Sequence, residues 1–160
     1  PQSPNCLFCP LSGSCRALSE GKVQQLPVKQ HRTKTTSRYF NYIYVRMGAH
    51  TLIHKRTEDD IWKNLFELPL VETEKDLSEE EFLACPQFHA LFAEGEVRMV
   101  RTLLRGVKHV LSHRVIYTNF YEVTLPDNSS SFSSYQRVAV EDLGRYAVPR
   151  LIHAFLEKYV

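Results

Sequence analysis

Two groups of side chains in this 160-residue chain have types and spacings that could do chemistry. The first is Cys6-Leu-Phe-Cys9-Pro-Leu-Ser-Gly-Ser-Cys15, which holds three of the four cysteines. A Cys-x-x-Cys pair followed by a third Cys after five residues is metal or cluster spacing. Three thiolates do not complete such a site, because structural zinc and iron–sulfur clusters take four ligands. A fourth would have to precede Pro1, come from another residue type, or be missing. Cys85 stands alone in a helix-like stretch and reads as a small buried hydrophobe. The second group lies in Val107-Lys-His-Val-Leu-Ser-His-Arg-Val-Ile116, where Ser112 sits between Leu111 and His113, with His109 just before. The window from Val97 to Tyr121 has no Asp or Glu but holds Arg98, Arg101, Arg105, Lys108 and Arg114. A hydroxyl and an apolar wedge among cations suit an anionic polymer that carries flat bases. The plainer alternative is a β-hairpin whose polar residues face water.

The net charge of +2 hides an uneven distribution. Residues 1–37 set Arg16, Lys22, Lys29, Arg32 and Lys34 against Glu20 alone. Most of the acids fall between Glu58 and Glu81. The expectation is one strongly acidic region and one basic region, an asymmetry that orients approach to a polyanion. No apolar run is long enough for a transmembrane helix, and no signal peptide is legible. An intracellular protein is expected, with bacterial cytoplasm or nucleoid as its place, no membrane partner and a monomeric state. The chain opens without Met and reads as a piece of a longer protein.

The elements that must position these residues follow from apolar periodicity and breakers. Leu18 to Ser37 lacks periodicity and reads as a basic linker. Arg38 to Arg46 is aromatic and β-branched, a strand; Met47-Gly48-Ala49 turns, and His50 to Lys55 returns, which predicts a hairpin. Arg56 to Asp60 is a charged loop, and Trp62 to Glu72 an irregular apolar segment broken by Pro69. Ser78 with Glu81 has the capping-box pattern of a helix start, and Pro86 opens a second helical piece. Val97 to Leu104 is ambiguous, Gly106 breaks the pattern, and Val107 to Leu111 and Val115 to Thr124 are strands with Ser112 near their junction. Tyr135 to Val140 is a short strand, and Pro149 opens an amphipathic helix. This order predicts an α+β domain, a mixed β-sheet flanked by helices and preceded by an irregular cysteine-containing segment and linker.

Three stretches resemble one family, the MutY-type adenine DNA glycosylases. Cys6, Cys9 and Cys15 match the last three cluster cysteines with which that family ends its catalytic region. Leu26-Pro-Val-Lys29 and its basic continuation resemble the interdomain connector. His109-Val-Leu-Ser-His113 resembles the His-x-Phe-Ser/Thr-His signature of the 8-oxoguanine-recognition domain, with Leu111 in place of Phe. The resemblance implies a Nudix-like fold for residues 38–160, a linker over 20–37, and the incomplete end of an iron–sulfur loop over 1–19. It also implies a [4Fe-4S] cluster in the longer protein, with Cys6, Cys9 and Cys15 as ligands and none bound by this chain alone. Trp62 to Glu72 resembles the Nudix approach to its catalytic helix, but Leu70-Val71 replaces the Gly-Gly and Glu79, Glu80 and Glu81 are consecutive. Such carboxylates point around a helix rather than along one face, so no metal site is expected.

The implied function is recognition of 8-oxoguanine in double-stranded DNA, opposite the adenine that a separate domain excises. No catalytic residue is expected in this chain. Guanine N7 is an acceptor; oxidation makes it a donor and adds an acceptor at O8. A serine hydroxyl both donates and accepts, so Ser112 is suited to that edge. Leu111 would wedge beside the base, His113 would hold Ser112 or meet a phosphate, and His109 completes the DNA-binding set. Two rivals remain: a divergent Nudix-type hydrolase of oxidised nucleotides, and a zinc-binding interaction domain built on the cysteines.

Overall fold

A computed structural model describes residues 4–26 and 35–160 and divides the chain into two compact units, residues 1–34 and 35–160. The Lys29, Arg32 and Lys34 stretch of the predicted linker lies outside the described residues. In the first unit, 3-10 turns at Cys6–Phe8 and Ser12–Ser14 precede a short helix, α1 (Arg16–Ser19). Leu7 and Phe8 are almost fully exposed there.

The second unit begins with β1 (Thr36–Arg46), the centre of the fold. After it come β2 (His50–Lys55), β3 (Phe66–Glu67), β4 (Leu70–Thr73), α2 (Glu79–Leu83) and α3 (Pro86–His89). They are followed by β5 (Met99–Val110), β6 (Arg114–Thr124), β7 (Gln136–Ala139), a 3-10 turn at Val140–Arg145 and α4 (Arg150–Tyr159). One sheet runs β4-β1-β6-β5 and a smaller one β3-β2-β7. β1 and β6 pair in parallel, whereas β4 and β5 pair antiparallel on the outside, so the larger sheet is mixed. Both faces of the central strands are covered, which explains the unbroken burial from Phe40 to Val45.

Side-chain alternation splits the core in two. Phe40, Tyr42, Tyr44, Ile116 and Phe120 pack toward α4, where Leu151, Ile152 and Phe155 meet them. The Phe120 and Phe155 rings stack at 4.1 Å. Ile43, Val45, Tyr121 and Val123 face α2 and α3 through Phe82 and Phe88. The predicted capping box is present: the Ser78 hydroxyl accepts from the Glu81 N–H at 3.1 Å, and the Glu81 carboxylate accepts from the Ser78 N–H at 2.8 Å.

Two expectations are corrected. β1 and β2 do not form a hairpin ladder; apart from the Met47–His50 bridge they belong to different sheets. Gly48 makes the sharp turn between them at φ +56°, where a Cβ would meet the Asp127 carboxylate at 2.9 Å. The apolar segment after Trp62 is not irregular throughout, because β4 adds to the edge of β1.

The Gly106 break is a bulge inside one long strand rather than a strand end. Thr102 pairs with Tyr121 and Val107 with Thr118, so β5 carries two extra residues over that span. Gly106 has φ +67° and donates its N–H to Asn119 Oδ1 at 2.9 Å. Asn119 in turn donates to Asn41 Oδ1 at 3.1 Å, and Asn41 donates to the Val71 carbonyl at 3.2 Å. These buried amides face each other across the parallel pair and tie the bulge to the sheet centre.

A candidate nucleic-acid interface

β5 and β6 form a long hairpin whose tip is Leu111-Ser112-His113. The Leu111 N–H donates to the Arg114 carbonyl at 2.8 Å and closes the turn. The Thr36 N–H donates to the His113 carbonyl at 3.1 Å and ties the tip to the start of β1. Ser112 and His113 are exposed. Leu111 is half-buried and packs against the α4-side core. His109 is also half-buried, its ring 5.8 Å from that of Trp62. Val110, which the sequence reading did not single out, is the exposed apolar side chain beside the tip, at 64%.

A cleft of about 480 Å³ lies between this turn and the charged loop, lined by Asp59, Asp60, Ile61, Leu111, Ser112, His113 and Arg114. Asp60 is the hub of its wall. Its carboxylate accepts from Arg38 at 2.6 Å, from Arg56 at 3.0 Å, and from Arg114 at the root of the turn. Burial works against this charge, but the hydrogen bonds from Arg38, the Ile61 backbone and Arg114 prevail and hold the carboxyl well below the usual aspartate range.

The hub continues into the core. Arg56, 8% exposed, donates to both oxygens of Glu67, 3% exposed, at 2.9 and 2.8 Å. The Tyr42 hydroxyl donates to Glu67 at 3.0 Å. Burial, with Glu67 alongside, pushes the Tyr42 phenol well above its ordinary value, so it stays a donor. Arg38 also forks onto Glu72 with two bonds of 2.6 Å. An unbroken chain of charge-assisted bonds therefore runs from Tyr42 at the sheet centre to Arg114.

This arrangement pairs part of the expected acidic region with arginines from elsewhere in the chain. Asp60, Glu67 and Glu72 are engaged by arginines. Within the acid-free window, Arg101 bonds Glu122 at 3.0 Å, Arg105 donates to the Leu77 carbonyl at 2.5 Å, and Arg114 is held by Asp60. Lys108 makes no hydrogen bond or ion pair among the described residues; its amine lies 6.0 Å from the centre of the Tyr117 ring. Sequence separation hid the Asp60 hub: its arginines lie 22 and 54 residues away, apart from Arg56 nearby.

Among the described residues, no group of three or more His, Cys, Asp or Glu side chains is gathered as a metal site. Cys6, Cys9 and Cys15 are free and half-buried, and three donors fall one short of a four-ligand set. The residues described therefore do not by themselves fit a cluster. Leu70 and Val71, where Nudix enzymes need glycines, pair in β4 with Tyr42 and Asn41. Glu81 is occupied by its cap, and Glu79 and Glu80 point elsewhere around the first turn.

Residues 41–158 match the NUDIX domain family. The chain belongs to it. Over almost its whole length it is also similar to the adenine DNA glycosylase of Buchnera aphidicola subsp. Acyrthosiphon pisum (strain APS). The two are 24% identical over 159 residues, covering 98% of this chain and 43% of that protein. The adenine DNA glycosylase of Buchnera aphidicola subsp. Schizaphis graminum (strain Sg) is 32% identical over 73 residues, 46% of this chain and 21% of that protein. The chain thus spans less than half the length of these curated relatives. Among solved structures, the C-terminal domain of mouse MUTYH, in complex with human PCNA, superposes with a TM-score of 0.61 at 14% identity, covering 76% of this chain and 86% of that one. A MutT protein from Methanosarcina mazei Go1 superposes with a TM-score of 0.51 at 17% identity, covering 79% and 95%. These superpositions carry the fold: the Nudix-like mixed sheet between helices that the sequence implied. Among the described residues no helix is long and apolar enough to cross a membrane.

Proposed function

We propose that this chain is the lesion-recognition part of an adenine DNA glycosylase. It holds DNA with 8-oxoguanine opposite the adenine that the rest of the longer protein excises. The observation that carries the reading is Ser112, exposed at the tip of a hairpin whose root is clamped to the core. Similarity over 98% of the chain to a protein named for that activity supports it. Ser112 accepts from the N7–H of 8-oxoguanine and donates to O8, and guanine leaves that pairing mismatched. His113 flanks it, Leu111 stiffens the turn, and His109 backs the strand against Trp62. In this reading Cys6, Cys9 and Cys15 are three of four iron–sulfur ligands of the longer protein, residues 20–37 are its linker, and adenine removal needs a pocket elsewhere that takes the flipped base. The protein acts as a monomer on DNA inside the cell.

The test compares binding to duplexes with 8-oxoguanine or guanine opposite adenine, for the chain and for Ser112→Ala. The variant should lose about 1–3 kcal/mol of discrimination, read as a fall in the affinity ratio. An unchanged ratio removes Ser112 from the role.

The hydrolase alternative has one supporting observation, the Nudix fold itself, and fold does not carry function. The placement of Leu70, Val71 and Glu79–Glu81 speaks against it. The expected result is no Mg²⁺-dependent pyrophosphate release from oxidised or ordinary nucleoside triphosphates; measurable turnover would reverse the assignment.

A further inference from the structure

We infer that the uncovered half of the large sheet beside the recognition turn is a docking face for the sugar–phosphate strand flanking the base that Ser112 reads. This rests on the lesion-recognition reading above. On the α2–α3 side, the helices cover Ile43, Val45, Tyr121 and Val123. Toward the hairpin tip, the same face presents Tyr39, Tyr117 and Val115, all half-buried and outside both core clusters. Within residues 35–160 the clusters built on α2, α3 and α4 do not include them. The two tyrosine rings stack at 5.4 Å with 16° between planes. Lys108 reaches over Tyr117, and Val110 stands exposed between Lys108 and the turn.

The face therefore offers flat apolar surface, two phenol hydroxyls and one uncommitted cation. No acid lies in the sequence window that supplies Lys108, Val110 and Tyr117. Deoxyribose rings pack on aromatic and aliphatic surface, and phosphates accept from lysine and tyrosine. Lys108 lies four residues from Ser112, about 13 Å along a strand. That is roughly four base-pair steps at 3.4 Å each, so one strand can reach both residues. Arg101, Arg105 and Arg114 already have partners and Arg98 lies at the far end of the hairpin, before β5 begins, which leaves Lys108 to meet the phosphate.

The experiment measures affinity of the full 160-residue chain for lesion and undamaged duplexes across a salt series. The variants are Lys108→Ala, Val110→Asp and Ser112→Ala, all at exposed positions. Lys108→Ala should weaken both duplexes equally, roughly fivefold near 0.1 M salt. It should also reduce the slope of log affinity against log salt by about 1. Val110→Asp should weaken both duplexes by placing an anion against the strand. Ser112→Ala should change the lesion ratio and leave the slope alone. If Lys108→Ala and Val110→Asp leave affinity and slope unchanged, the docking face is overturned. If Ser112→Ala leaves the ratio unchanged while Lys108→Ala lowers the slope, the Ser112 reading fails and the face stands. A chain without salt-dependent binding defeats both.

Discussion

Replacing Glu67 with alanine should destabilise the domain by about 3–5 kcal/mol, because it leaves a buried guanidinium without its main counter-ion. Glu67 and Arg56 are both nearly inaccessible, and the Tyr42 hydroxyl loses its acceptor in the same change. Asp60 still bonds Arg56, but with one nitrogen only. Urea unfolding measures the loss, and a change under about 1 kcal/mol would place the pair with ordinary surface ion pairs. Replacing both partners with apolar residues of similar volume should cost far less, since such swaps of buried pairs are often neutral. That contrast separates the penalty of a stranded charge from the net worth of the pair.

Asp60→Ala should cost about 2 kcal/mol, the lower end for a truncated, hydrogen-bonded charge pair. Its side chain is 21% exposed, and Arg38 and Arg56 keep Glu72 and Glu67 as partners. The larger consequence falls on the turn, because among the described residues Asp60 is the sole acid bonded to Arg114. Hydrogen exchange at the Leu111 and Thr36 amides, which close and tether the turn, should accelerate more than exchange at core amides. On the proposed function, discrimination of 8-oxoguanine should fall toward that of Ser112→Ala. Turn amides that exchange no faster than in the parent chain would mean that the hairpin holds its own tip. The pH dependence has a definite sign. The Asp60 carboxyl is depressed in the folded state, so its contribution is complete above its ordinary value near pH 4 and fades as the pH falls below it. The alanine variant should lack that part of the acid sensitivity.

Much of the frame was legible because it depends on local pattern. The β1 stretch, the Ser78–Glu81 box, the Pro149 helix start and the exposed Ser112 turn are each specified by a few neighbouring residues. The pairing of β1 with β6 was not, since a parallel ladder joins Thr36 to Arg114 across most of the domain. The turn at Gly48 looked like a hairpin because sequence shows a reversal of direction but not which sheet receives the returning strand. The Asp60 hub was least legible. Arg56 to Asp60 has the composition of a solvated loop, and only tertiary structure brings distant arginines onto one carboxylate and buries Arg56. Charge runs conceal their pairing for the same reason: sign is written in the sequence, but neutralisation is a matter of geometry.

The double irregularity of β5 around Gly106 lets this hairpin change length without exchanging its faces. Each extra residue shifts the odd–even alternation of β5, while pairing across the ladder keeps every paired side chain on its partner's face. Two are inserted at separate points, and Lys108 still lies opposite Tyr117 and His109 opposite Ile116. Loss of one or both extra residues between Thr102 and Val107 would straighten β5 and leave Lys108 and His109 on the faces they now hold. Length changes in that span should therefore alter the bend of the hairpin rather than which of its side chains face outward.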